Sequence, residues 1–304
     1  MLELRDVSRR FGDHVAVDRV SFSVPDGAMT GFVGGNGAGK TTTMRMIMGV
    51  LAQHGGQIDW QGRAITITDR RGFGYMPEER GLYPKQPILD QLVYLARLRG
   101  LSAQEATSRS TGLLERFDLA DRTGDKLESL SLGNQQRVQI IAALVADPTM
   151  LVLDEPFSGL DPAAVDSMAA LLREFTGRGV PVLFSSHQLD LVERLCDRLV
   201  ILSHGQVLAE GTADDLRATE TVRHRLVLSG DAGWLRDQSD VRVIDIDGNS
   251  AVLQLDSPDQ ADAVLRAAMA RGSVLEFGPI RPSLADIYRD VTTGSARAKQ
   301  EVLA

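Results

Sequence analysis

The stretch GGNGAGKTT fits the pattern G-x-x-x-x-G-K-[ST]: Gly34, Gly35, Asn36, Gly37, Ala38, Gly39, Lys40 and Thr41, with Thr42 directly behind. Glycines at these places let successive backbone N–H groups wrap phosphate oxygens. The lysine reaches the β and γ oxygens of a nucleoside triphosphate, and the threonine hydroxyl holds Mg²⁺. Gly34 and the run Asn36 to Thr42 are therefore the candidate phosphate-binding residues, with Lys40 also stabilising charge on the transferred group. A second stretch, LVLDEP, ends an apolar run in two acids. Asp154, at the carboxyl end of a buried strand, suits the metal shell beside Thr41, and Glu155 sits where an attacking water would be polarised. A third stretch, SLGNQQ at 131–136, has no acid, no base and no nucleophile, and runs straight into Val138, Ile140, Ile141 and Leu144. It reads as a helix N-terminus: Ser131 caps, Gly133 lets a ligand come close, and the first N–H groups are free to bind an anion.

These residues need a scaffold. The first thirty residues alternate as short strands around turns at Gly12–Asp13 and Pro25–Asp26–Gly27. A buried strand, Thr30 to Val33, then feeds the glycine-rich loop and a helix through Met44, Met46, Ile47 and Met48. From Leu82 to Leu119 the spacing is helical, with Leu89, Leu92, Leu95, Ala96 and Leu98 on one face. TMLVLDEP, VPVLFSSH and RLVILSHGQVLAEG supply further strands, the last with its hairpin. Strands alternating with helices imply an α/β fold with a largely parallel sheet covered on both faces.

The texture changes near residue 218. Strands are expected at 222–229, 241–246, 250–255 and 273–277, and helices at 259–271, with Ala263, Val264, Ala267 and Ala268 inward, and from Ser283 to Val291. If the piece 232–238 is helical, the order is β-α-β-β-α-β, that of a small ferredoxin-like α+β domain. The expected division is 1–217 for the phosphate-binding domain, with a helical subdomain at about 82–145. Residues 220–292 form the small domain and 293–304 a loose tail.

With 43% hydrophobic and 24% charged residues the chain is an ordinary globular one, and its 304 residues suffice for one full domain and a small second one. A net charge of −8 argues against a surface that coats nucleic acid. The single cysteine, Cys196, excludes an internal disulfide, and its setting in a helical stretch, Leu189 to Leu199, reads as a buried inert thiol. The five histidines are scattered, so no metal-ligand cluster is expected. The start, MLELRDVSRRF, has no apolar signal core and no run is long enough to span a bilayer, so a cytosolic chain is expected, reaching a membrane only through a partner.

Taken together and in this order, the P-loop, LSLGNQQR, LVLDEP, SGLD and LFSSH resemble the ATP-binding subunit of an ABC transporter over residues 1 to 217. The resemblance implies a P-loop ATPase core with an antiparallel edge, and ATP and Mg²⁺ as cofactors. It implies that Phe11 stacks on adenine, that His187 contacts the γ-phosphate and works beside Glu155, and that Asp161 bridges two subunits. It further implies that Ser131, Gly133 and Asn134 bind the γ-phosphate of ATP lying on another copy's P-loop, so that SLGNQQ is half of a site in a head-to-tail dimer. Three places depart from the family pattern. Gly35 replaces the usual P-loop proline, Leu132 and Asn134 replace Gly and Gln in the signature, and Glu78 in GYMPEERGLYP stands where a glutamine is usual. The carboxylate of Glu78 can still ligate Mg²⁺. PEERGLYP, SLGNQQ and the appended domain resemble a bacterial subgroup serving ABC-2-type exporters. Its partners are integral membrane permease chains, and its place is the cytoplasmic face of the cell membrane. The alternatives are an importer ATPase with a ligand-binding regulatory domain, and a non-transport ABC ATPase acting in DNA repair or on the ribosome.

Overall fold

The computed structural model describes residues 1–79, 81–218, 223–238, 241–255, 257–280, 283–289 and 292. The chain divides into two compact units, Met1–Thr212 and Ala213–Ala304. In the first, the chain runs through β1 (Leu2–Phe11), β2 (His14–Val24), β3 (Met29–Val33), α1 (Lys40–Ile47), β4 (Gly55–Trp60) and β5 (Arg63–Ala64). It continues through α2 (Ile67–Arg71), β6 (Phe73–Met76), α3 (Ile88–Leu98), α4 (Ala103–Arg116), α5 (Leu132–Leu144) and β7 (Met150–Leu153). The unit closes with α6 (Pro162–Gly177), β8 (Val182–Ser186), α7 (Leu189–Leu195), β9 (Arg198–Ser203) and β10 (Gln206–Gly211).

The central sheet has the order β10-β9-β3-β8-β7-β6. β9, β3, β8, β7 and β6 are parallel and β10 returns antiparallel. Every residue of β3, β7 and β8 is buried, as expected of strands covered on both faces. A second, antiparallel sheet, β2-β1-β4-β5, packs on it through two aromatic pairs. Phe22 meets Phe32 with ring centroids 5.0 Å apart, and Trp60 meets Phe73 at 4.8 Å. β1 and β2 are long, with register shifts on either side of Val7, where Asp6 takes a positive φ of 49°.

The stretch read as helical between Leu82 and Leu119 is two helices. α4 opens on a capping box in which the Ser102 hydroxyl and the Glu105 carboxylate satisfy each other's backbone N–H groups. That bonding holds the Glu105 carboxyl below its usual range. The expected apolar face of α3 needs correcting. Ile88, Gln91, Leu92 and Ala96 are its buried residues and Leu98 is 65% exposed, because the helix ends there. α7 likewise stops at Leu195, so Cys196 is extended rather than helical. Its sulfur lies against Gly31 of β3, and burial pushes the thiol pKa up.

In the second unit α8 (Ala213–Ala218) precedes β11 (Arg223–Leu228), a 3₁₀ turn at Gly233–Asp237, β12 (Arg242–Asp247), β13 (Ser250–Gln254), α9 (Pro258–Met269) and β14 (Val274–Ile280). Residues 284–289 are helical. The sheet order β12-β13-β11-β14, antiparallel throughout, is that of the ferredoxin-like fold, with the 3₁₀ turn in place of its first helix. Leu226, Leu228 and Leu253 face Leu235, Val264 and Ala268. On α9 the inward residues are Ala261, Val264 and Ala268; Ala263, expected inward, is exposed. The expected tail at 293–304 lies outside the described residues.

One close approach fixes α5, the helix that begins at SLGNQQ, on the sheet. A Cβ on Gly74 of β6 would lie 2.2 Å from the Ala143 carbonyl oxygen and 2.7 Å from a Leu151 methyl. Gly74→Ala should therefore cost about 1–3 kcal/mol, read as a melting temperature lower by about 2–4 °C per kcal/mol. Gly124→Ala, where a Cβ would meet nothing within 4 Å, is the control. Equal melting temperatures for the two variants would refute this seating of α5.

Candidate functional site

The carboxyl ends of β3, β8, β7 and β6 lie side by side, where open α/β sheets bind their ligands. β3 pairs Val33 with Ser186 of β8, while Phe184 of β8 pairs with Leu153 of β7 and Leu153 with Met76 of β6. The next residues along these chains are the glycine-rich loop, His187, the Asp154–Glu155 pair and, one further on, Glu78. Four stretches distant in sequence thus meet at one edge.

A cleft of about 360 Å³ opens there. The loop from Asn36 to Thr42 forms its floor. Glu78, Asp154 and Glu155 line it, as do Phe11, His14 and Ala16, of which no motif marked the last two. α1 starts at Lys40 with Gly39 as its cap, no side-chain cap bond and no acid in its first turn, so its leading N–H groups are available to an anion. Gly39 could be little else: its φ is +106°, and a Cβ would lie 2.7 Å from the Ala16 carbonyl oxygen. The Lys40 ammonium is folded under the loop, donating to the carbonyl oxygens of Gly34 at 2.6 Å and Gly35 at 3.3 Å. Phe11 is 48% exposed, with the Arg9 guanidinium carbon 4.9 Å from its ring centroid.

Asp154 is 1% exposed. Its Oδ1 accepts the Ser185 hydroxyl at 2.5 Å, and its Oδ2, also buried, has no partner among the described residues. A buried carboxylate oxygen without a partner is costly unless a cation supplies one. Around the cleft Lys40 faces three carboxylates, those of Glu78, Asp154 and Glu155. The Thr41 hydroxyl donates to Glu78 Oε2 at 3.2 Å, which leaves the threonine oxygen's lone pairs free. A hydroxyl and carboxylate oxygens suit a hard divalent cation. Among the described residues no three His, Cys, Asp or Glu form a cage, so such a cation would complete its shell from phosphate and water. Tyr75 of β6 stays a neutral phenol: burial, and then the nearby Asp154 charge, push its pKa up.

Glu155 has a φ of +51°, a left-handed conformation that costs a non-glycine residue about 1–3 kcal/mol. Hydrogen bonds offset that cost. Its N–H donates to Ser185 Oγ at 2.8 Å, and its carbonyl accepts from Gln136 Nε2 at 2.9 Å, a nitrogen that also reaches the Pro156 carbonyl at 3.1 Å. The Glu155 carboxylate meets His187 Nδ1 at 3.1 Å. An ionised carboxylate only accepts, so that ring nitrogen carries the hydrogen. Sequence reasoning missed Ser185 and Gln136 because both hold Glu155 through its backbone atoms, which no motif encodes.

Ser131, Gly133 and Asn134 lie outside the cleft lining. Ser131 caps α5, accepting the Asn134 N–H at 3.4 Å, and Leu132 is 63% exposed. Asp161 caps α6 through the Ala164 N–H at 2.8 Å, and its other oxygen lies 4.0 Å from Arg137 of α5. Residues 133 and 159 almost touch: a Cβ on Gly133 would be 3.3 Å from the Gly159 carbonyl oxygen. The starts of α5 and α6 therefore form one corner, apart from the residues that hold the P-loop.

Comparison with known proteins agrees with this architecture. The ABC transporter family model matches residues 17–158, and that of the ATP-binding protein DrrA1-3-like C-terminal domain matches 211–292. The chain is 39% identical to the uncharacterized ABC transporter ATP-binding protein YhaQ of Bacillus subtilis, over 95% of this chain and 97% of that one. It is 33% identical to a Nod factor export ATP-binding protein I of Burkholderia lata, covering 96% of each. A solved ATP-binding subunit of an ABC transporter superposes with a TM-score of 0.66 at 36% identity, over 72% of this chain and 92% of that one. A dimeric bacterial ABC transporter cassette shares the fold at 23% identity, with a TM-score of 0.64 over 70% of this chain and 98% of that one. The chain therefore belongs to the ATP-binding subunits of ABC transporters: it binds ATP and is an ATPase, and it joins the cassette to a DrrA-like C-terminal domain.

Proposed function

We propose that this chain powers export, hydrolysing ATP as one half of a head-to-tail dimer attached to separate ABC-2-type permease subunits at the cytoplasmic face of the membrane. The observation that carries the dimer is the separation of its two anion-binding helix ends. α1 opens into the cleft beside the acids, whereas Ser131, Gly133 and Asn134 at the start of α5 are not part of it. A second copy supplies the missing end, closing over the γ-phosphate held on the first copy's P-loop, with Asp161 at the junction. The path for substrate is assigned to the separate permease chains; among the described residues no helix is long and apolar enough to cross a membrane. Full-length relatives named for Nod factor export support the outward direction.

Within one cleft the loop amides from Asn36 to Gly39 and the Lys40 ammonium hold the phosphates, Lys40 leaving the carbonyls of Gly34 and Gly35 to do so. Phe11 stacks on the adenine, backed by Arg9. Thr41 and Asp154, with Glu78 beside them, hold Mg²⁺, which when bound neutralises charge on the β and γ oxygens. Glu155 orients the attacking water, and His187, fixed by its bond to Glu155, contacts the γ-phosphate.

Three outcomes test this reading. Glu155→Gln should keep ATP binding and slow hydrolysis by about 10²–10⁴-fold, trapping an ATP-bound dimer visible by size exclusion; normal turnover would remove Glu155 from the mechanism. Lys40→Ala and Ser131→Arg should each be inactive alone. Mixed, they form a heterodimer in which the P-loop of the second chain faces the signature of the first, and part of the ATPase returns. If each signature served its own chain's nucleotide, no mixture would contain a complete site and no activity would reappear. Finally, the chain should copurify from detergent-solubilised membranes with a polytopic membrane protein; recovery from membranes without one would count against the transporter assembly.

A further inference from the structure

Glu155 is held on both sides by buried side chains that do not line the cleft. Ser185 is fully buried, and both halves of its hydroxyl are committed. An N–H can only donate and an ionised carboxylate can only accept, so Ser185 Oγ accepts from the Glu155 N–H at 2.8 Å and donates its single hydrogen to Asp154 at 2.5 Å. Gln136 is 8% exposed, and its amide nitrogen lies 2.9 Å from the Glu155 carbonyl and 3.1 Å from that of Pro156. Its two N–H hydrogens match these two carbonyls. Both sets of bonds converge on a residue with a left-handed backbone, which relaxes readily to another region once it is not held. Such a relaxation would swing the carboxylate away from His187, to which it is bonded at 3.1 Å.

We propose that Ser185 and Gln136 are positioning residues for hydrolysis: together they clamp the backbone of Glu155 so that its carboxylate is aimed before nucleotide arrives. The clamp draws on two elements that meet the substrate elsewhere. Ser185 is on β8, two residues before His187, and Gln136 is on α5, five residues after Ser131. Glu155 is thereby tied to the helix end that serves the other chain's ATP. The inference rests on the reading of Glu155 as the carboxylate that orients water.

The test is a double-mutant cycle on the full chain, read by kcat and KM in steady state and by single-turnover hydrolysis of γ-labelled ATP. Gln136→Ala, and the volume-preserving Gln136→Met, should lower kcat on the order of 10–100-fold and leave KM for ATP and the ATP-dependent dimer in place. In a Glu155→Gln background the same changes should cause no further loss, because Gln136 acts only through that carboxylate. Ser185→Ala should lower kcat at least as much, since it also frees Asp154, and Ser185→Thr, which keeps the hydroxyl, should recover most of the loss. Equal fold-losses on removing Gln136 in both backgrounds, or unchanged kcat in the Gln136 variants, would overturn the proposal. If Ser185→Ala does not fold, the Gln136 cycle decides alone. Normal turnover of Glu155→Gln by itself would instead refute the underlying reading of Glu155, and the clamp with it.

Discussion

Parallel pairing of β3 with β8, and of β8 with β7 and β7 with β6, is the constraint from which the site follows. Parallel strands all point their carboxyl ends the same way, and neighbours lie about 4.8 Å apart. A loop leaving any one of them is therefore delivered to the same edge as its neighbours. The chain uses that edge four times, for the phosphate loop, the histidine, the acid pair and Glu78. An antiparallel neighbour would have sent one of these to the opposite side. The antiparallel strand of this sheet, β10, is at its margin, where its turn serves packing instead: the Gly205 N–H donates to the Ala38 carbonyl at 3.0 Å, bracing the phosphate loop from behind.

Electrostatics at that edge favours holding an anion by backbone rather than by side chains. Lys40 shares the cleft with three carboxylates, so the side chains alone would repel a triphosphate. Free N–H groups at the start of α1 attract phosphate without adding a titratable group. The buried Oδ2 of Asp154, without a partner among the described residues, marks where the remaining imbalance is concentrated. Glu78 adds to the demand for a cation, and its bond to the Thr41 hydroxyl keeps that oxygen turned toward the same place.

The glycine-rich loop was legible because its chemistry demands residue types, not just hydrophobicity, and the strands before it and before Asp154 because they are continuous apolar runs. The β-α-β-β-α-β order of the C-terminal unit was legible too, from alternation around Asp247–Gly248–Asn249. β4, β5 and α2 were not. β4 starts on Gly55–Gly56, β5 has two residues, and α2 has five with none buried, so no period accumulates. β6 hid for the same reason, with four residues leading into a loop that drew attention by its charges. Leu98 and Ala263 were misplaced because periodicity gives a stripe but not its edges. In the site, motif residues can be named from sequence, but what holds them cannot: Gln136 acts on main-chain carbonyls, and Ser185 on a main-chain N–H as well as on Asp154, and main-chain groups occur at every residue.

The two anion-seeking helix ends show how one kind of chemistry is put to two uses. At α1 the surrounding side chains are those of a reaction: an ammonium, a hydroxyl and acids. At α5 they are turned back into their own chain. Gln135 bonds the Leu130 carbonyl at 2.9 Å, Gln136 the carbonyls of Glu155 and Pro156, and Arg137 the Phe117 carbonyl at 3.0 Å. Facing outward are Ser131, the exposed Leu132 and the leading N–H groups, with no acid in the first turn to compete for them. The bond between the Asn134 N–H and Ser131 Oγ is long, at 3.4 Å, and therefore cheap to exchange for a stronger acceptor such as a phosphate oxygen. A helix fixed so firmly along its inner side, with its end so lightly satisfied, leaves the N–H groups of that end available to an anion. Through Gln136 the inner side of α5 is joined to the backbone of Glu155, so the anion-seeking end of that helix and the acid pair of the cleft belong to one hydrogen-bonded unit.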